Sequence, residues 1–138
     1  MQVNTELANV FKCHSEKQRQ ALWSTKRITA LVTGIQFGKT TCGAVWMLKH
    51  LMKHKDKGNA FIITSPNYKI MEQSTLPAFM EIMRGYGDYN GQKAVFQINN
   101  GGRVYFRTAT DPDSVVGITN VRAIWGDEAG KYSKYFWD

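Results

Sequence analysis

Cysteine is scarce in this 138-residue chain, with only Cys13 and Cys42 and no CxxC spacing. That excludes a disulfide scaffold and a cysteine-based metal site, and it reads as a reduced, intracellular protein. Proline is nearly as rare, at three residues, and there is no repeat, low-complexity run or Pro/Gly/Ser-rich linker. No run approaches the roughly 20 uncharged apolar residues of a membrane span. The polar start, Met1 to Glu6, is not a signal peptide. The length gives room for one domain, spanning residues 1–138, and one modest core.

Acidic residues are also in deficit, with 11 Asp plus Glu against 18 Lys plus Arg, a net charge of +7. The imbalance is local. Residues 1–57 hold ten basic and three acidic groups, whereas residues 58–138 hold eight of each. A polyanionic partner, nucleotide or nucleic acid, fits this front-loaded charge, and so does a solvated basic face.

What is present alternates between short apolar runs and longer helical patterns. Gln18 to Ser24 reads as a short helix, and Ile28 to Thr33 (ITALVT) as a buried strand. Thr40 to about Lys55 carries Val45, Leu48, Leu51 and Met52 at helical spacing, with Gly58 as the stop. Ala60 to Thr64 predicts a second buried strand, and Pro66-Asn67 a turn. Lys69 to Arg84 predicts a helix that is irregular around Pro77. Gly85, Gly87 and Gly91 mark a loop. Lys93 to Ile98 and Arg103 to Thr108 alternate on either side of Asn99-Asn100-Gly101-Gly102, a hairpin signal. Val121 to Gly126 is a further strand, and the chain closes on Tyr132, Tyr135, Phe136 and Trp137. This order argues an α/β sheet with an antiparallel addition, and the apolar end suggests a truncated module.

The strongest local signal is Thr33-Gly34-Ile35-Gln36-Phe37-Gly38-Lys39-Thr40, placed between a predicted strand and a predicted helix. Gly34 and Gly38 allow the tight backbone that lets several N–H groups converge on phosphate oxygens. The helix N-terminus adds partial positive charge. Lys39 would reach the outer phosphates of ATP, and the Thr40 hydroxyl would hold Mg²⁺. Thr33 stands where the phosphate-loop pattern has glycine. An apolar strand ending in Asp127-Glu128 follows, with Asp127 88 residues after Lys39. There Asp127 would hold Mg²⁺ and Glu128 would act as general base on the attacking water. A solvated turn is the alternative for the acidic pair taken alone.

From about Phe11 to Gly130 the chain resembles the N-terminal ATPase portion of the large terminase subunit of tailed bacteriophages. The likeness lies in FKCHSEKQ, VTGIQFGKTT, FIITSPNYK and VVGITNVRAIWGDEAG. It implies a P-loop NTPase core of the additional-strand, RecA-like kind, with a mainly parallel sheet flanked by helices plus a β-hairpin, incomplete at its C-terminus. It implies ATP and Mg²⁺ held by residues Thr33 to Thr41, and adenine contact by Gln18, with Gln20 the alternative on the same helix. The implied activity is ATP hydrolysis that drives double-stranded DNA into a capsid. The implied partners are a portal protein, a small terminase subunit and further copies in a ring, in the cytoplasm of an infected host and not as a stable part of the virion. Gly117 fits the family pattern. The family's arginine before GKT is missing among Gly34, Ile35, Gln36 and Phe37, so such a charge would come from elsewhere, such as a neighbouring subunit. The coupling motif and the nuclease domain would lie beyond residue 138, so no DNA cleavage is expected of this chain. A helicase-like translocase and a remnant without sustained turnover are the alternatives.

Other residues read more plainly. Lys49, Lys53 and Lys57 form a row that fits a solvated helix face or DNA phosphates. His50 and His54 have metal-pair spacing without a third ligand. Trp23, Trp46 and Trp125 are expected in the core, and Tyr105 and Phe106 in packing.

Overall fold

The computed structural model describes residues 15–32 and 38–137. Helix α1 (Glu16–Leu22) is opened by Ser15, whose side chain accepts from the Gln18 backbone N–H. Helix α2 (Lys39–Lys53) begins at Gly38, which has φ 70°. Strand β1 (Ala60–Ser65) follows, buried at all six positions. Asn67 then caps a helical arm made of α3 (Tyr68–Ile70), a π-helical turn (Met71–Thr75) and α4 (Leu76–Met83).

The predicted irregularity at Pro77 takes the form of that wide turn. Inside a continuous helix Pro77 would lack its N–H and crowd the carbonyl four residues back. Here it falls in the first turn of α4 instead. Strands β2 (Gly87–Asn90), β3 (Val95–Ile98) and β4 (Arg103–Thr108) form an antiparallel meander. Strand β5 (Val121–Gly126) and the short helix α5 (Lys134–Trp137) complete the order.

The five strands make one sheet in the order β2-β3-β4-β1-β5. Strand β1 lies between β4 and β5 and runs parallel to both, with Ile63 opposite Phe106 on one side and Trp125 on the other. Its residues are buried at all six positions, so both faces are covered, which suits its unbroken apolar run. Alternate residues of β3, β4 and β5 meet α2 and α4 in a single core, with Leu48, Phe61, Phe79, Phe96, Phe106 and Trp125 among its larger members. Phe79 lies edge-on to both Phe96 and Phe106, at centroid distances of 5.3 and 5.2 Å. Each such buried side chain contributes about 1.5–3 kcal/mol over an exposed one. The protein is thus a mixed α/β structure with a five-stranded sheet flanked by helices, and no helix among the described residues is long and apolar enough to cross a membrane.

Three expectations are corrected. Residues 28–32 form no strand, and Ile28 and Val32 are 83% and 86% exposed. The β-branched composition favours a strand only where a neighbour supplies a ladder and a surface to pack on, and none of the five strands pairs with this segment. Thr33, the last residue of that expected strand, lies outside the described residues. Trp23 is 59% exposed beyond the end of α1, with the Lys49 ammonium 5.1 Å from its ring centroid. The segment from Gly87 is not a loop, because Asp88, Tyr89 and Asn90 pair with Gln97, Phe96 and Val95.

Candidate functional site

Strands β1 and β5 run parallel, so their carboxyl ends lie side by side, the usual place for a ligand site in such sheets. Asp127 follows directly on β5, and its backbone N–H donates to the Thr64 carbonyl at 2.9 Å. The side chain is only 4% exposed. Thr40, in the first turn of α2, donates its hydroxyl to this carboxylate at 3.2 Å from Oδ1 and 3.3 Å from Oδ2. Thr75, at the end of the π-turn, donates to Oδ2 at 2.8 Å. Two segments far apart in sequence, and a third that no motif marked, therefore converge on one carboxylate.

Burial pushes the Asp127 carboxyl above the ordinary carboxylate range. The bonds from Thr75 and Thr40 work against that rise, and the neighbouring Glu128 charge adds to it. Among the described residues no lysine or arginine forms an ion pair with Asp127. Its backbone is held as well. The Tyr132 hydroxyl donates to the Asp127 carbonyl at 2.8 Å, so the 2.9 Å contact between Tyr132 and the Thr64 hydroxyl must use the Thr64 proton. Burial pushes the Tyr132 phenol up to about 12, so it remains a donor at any ordinary pH.

Glu128 departs from this order. It adopts φ 51°, a left-handed conformation, and stays exposed, 3.9 Å from Lys131. An exposed pair at that distance contributes little, so Glu128 is free to turn towards a ligand. Lys39 is the first residue of α2, and Gly38 adopts the left-handed conformation that glycine tolerates without strain. The 15-residue α2 has no acidic residue of its own in its first turn, where its partial positive charge lies, and the Asp127 carboxylate approaches that turn through Thr40. Thr41 is exposed in the same turn. Thr33, Gly34, Ile35, Gln36 and Phe37 lie outside the described residues.

Gln18 is wholly buried rather than on a helix surface. Its carbonyl accepts from Cys42 Sγ at 3.9 Å, which sets it beside the first turns of α2. Gln20, the alternative, is exposed beside Glu16. His50 and His54 stack with centroids 6.5 Å apart on α2. Sequence reasoning missed Thr64, Thr75 and Tyr132. One signal could have found Thr75. Met71, Thr75, Phe79 and Met83 recur every fourth residue and all are buried, so Thr75 is the single hydroxyl in an apolar row.

The geometry defines an oxygen-rich cluster at the joint of a helix N-terminus and two parallel strand ends. Residues 30–138, most of the chain, match the family described as terminase large subunit, T4likevirus-type, N-terminal. The chain belongs to that family, which makes it a component of a phage DNA-packaging motor. No curated protein and no solved structure matches it significantly.

Proposed function

We propose that this chain is the ATP-binding part of the packaging motor, with a P-loop core that holds Mg-ATP at the N-terminus of α2. The observation that carries the reading is the 3.2 Å contact between Thr40 and Asp127, separated by 87 positions in sequence. It joins the phosphate-loop signal to the acidic-strand signal, which is weak alone. The donor set suits magnesium, since Thr40 and Asp127 offer hard oxygens and the buried carboxylate has no counter-charge among the described residues. Bound there, the cation would neutralise charge on the β- and γ-phosphates.

The residues would divide the work as follows. Backbone N–H groups of residues 34–40 and the Lys39 ammonium bind phosphate oxygens. Thr40 and Asp127 hold the cation. Gln18, buried beside α2, would contact the adenine. Glu128 orients a water and takes its proton as the water oxygen attacks the γ-phosphorus in line, and the bond to the bridging oxygen breaks to leave ADP and phosphate. In the complete motor this cycle would drive double-stranded DNA into the capsid, with a portal protein, a small terminase subunit and further copies of the chain as partners.

Titration calorimetry with Mg-ATP tests the reading. The parent should bind, and Lys39→Ala should weaken binding at least tenfold, or about 1.4 kcal/mol. A folded chain that binds no Mg-ATP, or that binds equally well after the substitution, overturns it.

A further inference from the structure

We infer that Thr75 is a positioning residue for the Asp127 carboxylate, and that the π-turn of residues 71–75 is the device that delivers it. The inference rests on the reading of Asp127 as the acid that holds the cation. Three observations support it together. The Thr75 hydroxyl makes the shortest side-chain contact to Asp127, 2.8 Å to Oδ2, compared with 3.2 and 3.3 Å from Thr40. Thr75 is fully buried, in line with Met71, Phe79 and Met83, where an apolar side chain would serve the core better. The turn that carries it is π-helical, with the Leu76 N–H bonded to the Met71 carbonyl five residues back. Single π-turns are rare and concentrate at functional sites.

The division of labour between the two hydroxyls follows from their places. Thr40 sits at the open end of the site, on the helix that would meet the phosphates, so a cation would draw on its oxygen. Thr75 comes from the buried side. It therefore holds Oδ2 from behind and fixes the rotation of the carboxylate, leaving Oδ1 for the cation. Partners of this kind, which touch a ligand residue and not the metal, commonly govern metal affinity by 10–100-fold when removed. The role also links the helical arm to the site, because any shift of α4 relative to β5 would pass through the Thr75 hydroxyl.

The test compares Thr75→Val, which keeps the shape and removes the hydroxyl, with Thr75→Ser, which keeps the hydroxyl. Each full chain is titrated with ATP in Mg²⁺ and with ATP in EDTA, and the thermal midpoint is recorded without ligand. Thr75→Val should weaken ATP binding at least tenfold in Mg²⁺ and less than twofold in EDTA, and Thr75→Ser should restore the parent's dependence on Mg²⁺. A merely structural role would lower the midpoint and weaken both titrations together, and that result overturns the inference. If the valine variant does not fold, Thr75→Ala against Thr75→Ser gives the same comparison. A parent that binds no Mg-ATP removes the nucleotide reading and this inference with it. A parent that loses binding through Lys39→Ala but keeps its Mg²⁺ dependence in Thr75→Val sinks this inference alone.

Discussion

Gly43 gives the sharpest test of how the site is assembled. It lies in α2, one turn beyond Thr40, where the helix crosses β5. A Cβ at this position would meet the Trp125 indole at 2.1 Å from Nε1, 2.2 Å from Cε2 and 2.6 Å from Cζ2. Carbon contacts rest at about 3.5–4.0 Å, so Gly43→Ala must open the joint by more than about 1 Å or turn the indole. Trp125 is packed within the core and has little room to turn. Helix propensity alone favours alanine by about 1 kcal/mol. Overpacking costs about 1–3 kcal/mol, and a contact this short belongs at the upper end. The clash therefore wins by about 1–2 kcal/mol, or a fall of about 4–8 °C in Tm at roughly 4 °C per kcal/mol.

The same displacement separates Thr40 from Asp127, two residues beyond Trp125, and takes a 3.2 Å contact past hydrogen-bond range. Mg-ATP affinity should fall at least tenfold, as read by calorimetry beside the thermal melt. Gly58→Ala is the control, because nothing lies within 4 Å of a Cβ there. A Gly43→Ala chain that melts at or above the parent's temperature and binds Mg-ATP as the parent does would refute the reasoning.

Two further outcomes follow from the Asp127 environment. Burial raises the Asp127 carboxyl above its ordinary value of 3.8. The folded state therefore favours the neutral form, and its stability falls as pH rises from that value through the raised one. In EDTA, Asp127→Asn should remove this loss, so its stability relative to the parent should grow between pH 3.5 and 7.5 by urea unfolding. A pH-independent difference would contradict the assignment. Tyr132→Phe strands the buried Asp127 carbonyl and leaves the Thr64 hydroxyl only its 3.4 Å contact with the Trp125 carbonyl. It should lower stability by about 1–3 kcal/mol, and an unchanged urea midpoint would count against the clamp.

Much of the fold was legible because its signals were local. Ala60 to Thr64 reads as a buried strand from composition alone, and the hairpin around Asn99 to Gly102 from turn chemistry; both the strand and the hairpin stand as expected. The segment at 28–32 misled because strand propensity reports on packing partners, and a partner cannot be read from the segment itself. Trp23 misled for a related reason, since an aromatic at a helix end can cover a lysine stem as readily as enter the core. Of the site, Thr40 and Asp127 were legible through motif context. Thr75 and Tyr132 were not, because a hydroxyl acquires its role only when the fold chooses what it faces.

The cost side of the ledger explains why these hydroxyls gather around Asp127. Removing a carboxylate from water carries an effective penalty of several kcal/mol, and hydrogen bonds to a charged group return about 1.5–3 kcal/mol each. Thr40 and Thr75 together therefore offset part of the penalty, and the direction in which the Asp127 carboxyl is shifted says that part of it remains. Salt-bridging the acid would have relieved the rest, yet no described arginine or lysine forms an ion pair with Asp127. An acid left in this condition binds a cation more strongly than a paired one, because the incoming charge relieves a cost the fold already carries. The proposed cation site thus draws its affinity from an imbalance built into the free protein. Neutralising Asp127 should stabilise the fold and disable the site through one and the same change.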